Sequence, residues 1–126
     1  MQFMMEQKYI DYWRDRQMKQ NIESAELARQ AWIDVQKVAE LLSARFGATR
    51  IIVFGSLVRG ECFDAESDID MAVAGITPAD FFTAMAAANE ISHQWVDLKP
   101  MESLDPHFLQ KVLTMGKSIN AADQGG

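Results

Sequence analysis

The stretch IIVFGSLVRGECFDAESDIDMAVAGI, residues 51–76, decides the fold of this chain. Two apolar runs flank a polar loop, with Gly55 and Ser56 at its entrance and Asp68 and Asp70 at its exit. RIIVFG, residues 50–55, is a β-branched run that ends in glycine, and reads as a strand buried on both faces. DIDMAVA, residues 68–74, reads as a second strand, with Ile69, Met71 and Val73 on one face. Alternation then puts Asp68 and Asp70 on the other face, their Cα atoms roughly 6.5 Å apart. Two carboxylates that close repel one another unless they are protonated or bridged by a cation. A divalent metal would supply the charge, and magnesium takes one or two carboxylates together with substrate phosphates.

The entrance of the loop supports that reading. Glycine directly after a buried strand lets the backbone approach a ligand closely. Free N–H groups at a following helical turn form an anion site, to which the Ser56 hydroxyl adds a donor. Arg59, one turn later, can reach a phosphate with its fork of donors. An anion cradle and a carboxylate pair therefore close the two ends of one loop, the layout needed for a metal-bound triphosphate. The loop is not a P-loop: Glu61 and Cys62 follow Gly60 where Lys and Ser/Thr would be required. Taken alone, D-x-D reads better as a coincidence at a loop-to-strand junction, since aspartates often start strands and cap turns. A third acid, Asp97, lies between the apolar Val96 and Leu98, and by alternation faces away from the core. Lys99 shares its face and reads as solvated.

Further out, HQWVDLKP, residues 93–100, reads as a third strand. A helix opens at Pro78, and another spans residues 105–116 with Asp105 as N-cap, Pro106 at its first position and Gly116 as its stop. KSIN is a short edge strand. Upstream, Leu27, Ala31, Val35, Val38, Leu42 and Phe46 form one helical stripe that Gly47 ends. Residues 3–20 repeat Met5, Tyr9 and Trp13 at helical spacing, reading as core, with a protein interface as the second reading. A break at residues 21–24 and one continuous helix are equally allowed. The fold class is α/β (α+β): a small mixed sheet flanked by helices, with an N-terminal helical extension. One domain spans 1–126, with a helical part over 1–46, a catalytic core over 47–119 and a loose tail over 120–126.

Composition bounds the rest. Hydrophobic residues make up 48% of the 126, enough for a core, and no apolar run is long enough for a membrane span. The net charge of −6 disfavours direct binding of nucleic-acid backbones. The single cysteine, Cys62, excludes an internal disulfide and fits a reducing compartment, so the cytoplasm is expected. His93 and His107 form no metal-ligand spacing with each other or with Cys62, and Glu61, Asp64 and Glu66 read as a solvated loop.

GSLVRGECFDAESDIDMAV resembles the signature of the nucleotidyltransferase superfamily related to DNA polymerase beta. VDLKPMESLDPHFLQKVLTMGKSI resembles the tail of its minimal nucleotidyltransferase (MNT) branch. Two departures stand out: eleven residues, 57–67, separate Ser56 from Asp68 where ten is the commonest spacing, and Lys99 stands where an apolar residue is usual. The resemblance implies the nucleotidyltransferase fold and transfer of AMP from ATP with two Mg2+ ions. Asp68, Asp70 and Asp97 would be the catalytic metal ligands, Asp97 also the base on the acceptor hydroxyl. Gly55, Ser56 and Arg59 would hold phosphate. It further implies an antitoxin whose partner is a HEPN-domain RNase toxin, neutralised by AMPylation of a tyrosine hydroxyl. The alternatives are a non-catalytic binding antitoxin and a nucleotidyltransferase for small aminoglycoside-type acceptors.

Overall fold

The computed structural model describes residues 2–60 and 63–119, with side chains from Glu6 onward. Readings that concern Met4, Met5, Glu61, Cys62 or residues 120–126 lie outside that description. Helix α1, Gln2–Phe46, runs unbroken through residues 21–24. At 1.5 Å per residue it is about 67 Å long. It stops at Gly47, whose φ of 75° lies in the left-handed region that glycine enters freely. Strand β1 (Arg50–Phe54) and the single helical turn α2 (Ser56–Arg59) follow, then β2 (Ile69–Ala74), α3 (Pro78–Ile91) and β3 (Val96–Pro100). A 3₁₀ turn (Met101–Ser103) leads to α4 (Pro106–Met115) and β4 (Lys117–Ile119).

The four strands form one mixed sheet in the order β3-β2-β1-β4. β1 pairs antiparallel with β2 and β4, whereas β2 and β3 run parallel. The parallel step needs a crossover, and α3 supplies it. The sheet is covered on both faces, as the apolar β1 run requires. On one face Ile51, Val53, Ile69, Met71, Val73, Val96 and Leu98 pack against α1 and α3, through Val35, Val38, Leu42, Ala84 and Ala88. On the other, Ile52 and Ala72 meet Met101 and Val112. Asp105 caps α4, accepting from the backbone N–H groups of His107 and Phe108, and Pro106 takes the first turn.

Two expectations change. The third strand begins at Val96; His93, Gln94 and Trp95 are a bend that serves as an anchor instead. The first half of α1 is not core. Every residue from Glu6 to Glu23 is exposed, including Tyr9 at 65%, Tyr12 at 58% and Trp13 at 49%. The helix meets the body only from Ser24, whose hydroxyl donates to the Phe63 carbonyl at 2.6 Å. Periodicity identified an amphipathic helix, but nothing on the sheet lies opposite its first five turns.

Candidate active site

The acids come together at one end of the sheet. Asp70 and Asp97 are register partners on the parallel strands β2 and β3. They share the face that carries α4, because Ile69, Met71, Val96 and Leu98 occupy the other. Asp68 stands one residue before β2 and is exposed, while Asp70 and Asp97 are half-buried. On the other side of Asp70 its β1 partner is Phe54, whose ring meets Phe108 of α4 edge-on at 5.5 Å.

Burial pushes the Asp70 carboxyl above the ordinary carboxylate range, and the negative charges of Asp97 and Asp68 push it further. Lys99 and Arg59 act in the opposite direction. Asp70 thus feels every charged group that the sequence singled out around it. Arg59, from α2, is within electrostatic reach of the acids although it lies eleven residues before Asp70 in the chain.

Gly55 is the closest neighbour that matters for shape. Its φ is 83°, and a Cβ there would run into the Asp70 carboxylate, lying 3.2 Å from its Cγ. The Asp70 side chain therefore leans over the backbone at the start of α2, where Ser56 begins the turn. Gly55 and Ser56 accept the turn's backbone hydrogen bonds through their carbonyls, from Arg59 N–H at 3.1 Å and Gly60 N–H at 3.0 Å.

The elements bearing the acids are fixed by side chains that the sequence did not reveal as important. Asp64 organises the turn before Asp68, accepting from the Glu66 N–H at 2.9 Å and the Ser67 hydroxyl at 3.1 Å. It is exposed, but structural rather than merely solvated. Gln94 donates to the carbonyls of Asp64 and Ser67, tying that turn to the approach of β3. Asn89 clamps the first residue of β3 from both sides: Val96 N–H donates to its Oδ1 at 2.7 Å and its Nδ2 donates to the Val96 carbonyl at 3.1 Å. Asp34 of α1 is buried, 1% exposed, and accepts from the His93 backbone N–H at 2.8 Å and from Gln30 Nε2 at 3.1 Å. The His93 ring Nδ1 lies 3.0 Å from its Oδ2. Burial alone would raise the Asp34 carboxyl, yet the hydrogen bonds from His93 and Gln30 outweigh it and hold it below the usual range. The signal was present in the sequence: Asp34 falls seven residues after Leu27 and four before Val38, inside the apolar stripe.

Lys99 is not simply solvated. Its Nζ lies 3.2 Å from Asp97 Oδ2, and both side chains are 36% exposed. The donor set suits a hard divalent cation, since carboxylate oxygens are its preferred ligands and the raised Asp70 carboxyl marks a concentration of negative charge that a cation would relieve. Among the described residues, however, no three His, Cys, Asp or Glu side chains converge closely enough to hold a metal ion by themselves. A groove of about 720 Å³ beside α1, lined by Leu27, Leu57, Gly60 and Phe63 among others, does not include Asp68, Asp70 or Asp97. No helix among the described residues is long and apolar enough to cross a membrane.

A family model described as polymerase beta nucleotidyltransferase matches residues 36–125. Among solved structures, a provisionally named minimal nucleotidyltransferase is 31% identical with a TM-score of 0.60, the match covering 71% of this chain and 95% of that one. A toxin–antitoxin complex with AMP-PNP contains a chain 23% identical, TM-score 0.58, covering 73% of this chain and 76% of that one. A tri-AMPylated Shewanella oneidensis HEPN toxin in complex with its MNT antitoxin gives 21% identity and a TM-score of 0.53, with 76% of each chain covered. At those identities the two complexes share the fold with this chain. No curated protein matches the sequence significantly. The family model spans most of the chain, including Gly55, Ser56, Asp68, Asp70 and Asp97, and so the chain belongs to the polymerase beta nucleotidyltransferase family.

Proposed function

We propose that this protein transfers AMP from ATP to a hydroxyl group of a HEPN-type toxin, a tyrosine hydroxyl by preference, and thereby neutralises it. The observation that carries the reading is the cross-strand pair Asp70–Asp97 beside the glycine that opens α2. Family membership supports nucleotidyl transfer. The AMP-PNP bound in one similar complex and the AMPylated HEPN toxin in another support ATP as donor and the toxin as acceptor.

In this reading Gly55 leaves room for the triphosphate against the backbone, and Ser56 and Arg59 donate to its β- and γ-phosphate oxygens. Asp68 and Asp70 would hold a magnesium ion, which when bound would screen the phosphate charge and stabilise the attacking and departing oxygens. Asp97 accepts a hydrogen bond from the acceptor hydroxyl and orients it. The hydroxyl oxygen forms a bond to the α-phosphorus as the bond from that phosphorus to the β-bridging oxygen breaks. The electron pair of the broken bond leaves with pyrophosphate, and the hydroxyl proton passes to the Asp97 carboxylate. Asp34, Asn89 and Gln94 act earlier, by fixing β3 and the turn before β2.

The test is to incubate the purified protein with ATP, magnesium and a HEPN protein and read the partner's intact mass. Addition of one or more adenylyl groups, abolished by Asp70→Asn, is the expected result. Neutralisation of the toxin's RNase activity without any mass change, and equally by the Asp70→Asn variant, would replace catalysis with binding.

A further inference from the structure

We infer that the Lys99 ammonium occupies, at Asp97, the place of a second divalent cation, so that this site loads one divalent ion with its nucleotide. The inference rests on the nucleotidyltransfer reading and concerns its cation content.

The three acids are not equivalent. Among the described residues no ion pair is made by Asp68 or Asp70. Asp97 alone already has a cationic partner on its own strand, at 3.2 Å. Alternation makes that partnership possible: Asp97 and Lys99 stand two residues apart on β3 and project from the same face. Their β2 neighbours are Asp70 and Ala72. Ala72 is buried and offers only a methyl group beside Lys99, so the lysine stem has room to lie along the sheet and return its ammonium toward Asp97. Both side chains are 36% exposed, so the pair is partly screened by water and its attraction is modest.

A divalent ion shared between Asp70 and Asp97 would need the oxygen that Lys99 holds, or would sit within a few ångströms of a fixed positive charge. Repulsion between like charges at that range is strong in a partly desolvated site. An ion held on the Asp68 and Asp70 side meets no such obstacle. Lys99 therefore acts as a positioning residue: it holds Asp97 toward the acceptor side and keeps it out of metal coordination.

The experiment is electron paramagnetic resonance of Mn2+ bound to the protein with α,β-methylene-ATP, which binds without turnover. Two ions bridged by one carboxylate give a spin-coupled spectrum, whereas a lone ion gives the uncoupled sextet. The wild-type protein is expected to show the uncoupled signal, Lys99→Met the coupled pair, and Lys99→Arg the uncoupled signal again. Adding Asp97→Asn to Lys99→Met should return the spectrum to uncoupled. A coupled pair in the wild type overturns the inference and leaves the transfer reading standing. Lys99→Met that remains uncoupled also overturns it; should that variant fail to fold, Lys99→Gln takes its place. No Mn2+ retained by the wild-type protein with nucleotide overturns the inference and the transfer reading together.

Discussion

The face of the sheet under α4 has two ends made by the same strands. At one end Ile52 and Ala72 are sealed beneath Met101 and Val112; at the other, Asp70 and Asp97 stand half open beside Phe54. Two residues along β2, from Ala72 to Asp70, separate a core position from a charged one. The cover decides the difference. The 3₁₀ turn and α4 reach across Ile52 and Ala72, and their reach ends at the edge-on contact between Phe108 and Phe54. Where cover is present the strand carries apolar side chains and contributes stability. Where it stops, the same strand direction and pleat hold acids in a fixed arrangement, at a cost that shows in the raised Asp70 carboxyl.

The strongest way to break that comparison is to make the open end resemble the closed one. Asp70→Asn should abolish detectable adenylyl transfer, since it removes a carboxylate proposed to hold the magnesium ion that neutralises the triphosphate. The same variant should be more stable than the wild type at neutral pH. The folded carboxyl of Asp70 lies above its ordinary value, so ionising it costs folding free energy at any pH above that folded value. The advantage of the variant should shrink as pH falls through the folded value and vanish below the ordinary one. Urea unfolding at several pH values, beside transfer assays, checks both arms; an equal loss of stability and activity would mean that Asp70 is a structural residue.

Gly55→Ala comes next. A methyl group there meets the Asp70 carboxylate, and the backbone φ of 83° disfavours any side chain, by about 1–3 kcal/mol. The expected result is a fall in melting temperature together with a loss of nucleotide binding, read by calorimetry with AMP-PNP. At the closed end Val112→Ala should cost about 2 kcal/mol and leave nucleotide affinity unchanged, because Val112 lies under the core patch and not beside the acids.

Asp34 tests the support of the open end from a distance. Asp34→Asn should destabilise the protein by about 1–3 kcal/mol at neutral pH, as the new amide group faces donors from His93 and Gln30. The Asp34 carboxyl is held below its ordinary value of 3.8. Its contribution is therefore present above that value and lost as pH falls through the lower folded one. Wild type and variant should converge in acid, which pH-dependent denaturation would reveal.

How much of this was legible in the sequence follows from the range of each interaction. The β1–loop–β2 unit, the Asp105 cap, Pro106 and the short edge strand were all readable, because local spacing and turn chemistry specify them. The unbroken α1 was one of two allowed readings. Asp34 is hard to single out because one acid inside an apolar stripe leaves the helical pattern intact. Lys99 reads as solvated because alternation gives it a shared face with Asp97 and not the distance between them. The exposed half of α1 reads as core because periodicity reports that a helix has an apolar side, while only the tertiary fold decides what, if anything, lies against it.

That half of α1 gives the smallest expected effect on the fold and the sharpest contrast with the covered patch. Tyr9 and Trp13 meet edge-on at 6.0 Å, Tyr12 and Trp13 at 5.9 Å, and the Arg16 guanidinium sits 5.8 Å from the Trp13 ring. These contacts lie within one helix and none reaches the sheet. Trp13→Ala should therefore change unfolding free energy by no more than about 0.5 kcal/mol, the ordinary range for surface substitutions. Aromatic side chains are enriched at protein interfaces and carry much of their binding energy. If the proposed HEPN partner uses the arm, the same substitution should weaken its binding by tenfold or more, measured by titration of the purified proteins, with AMP-PNP affinity unchanged. Unchanged partner binding would assign recognition of the toxin to the body of the fold, close to the open acidic end, and leave the apolar arm without a part in it.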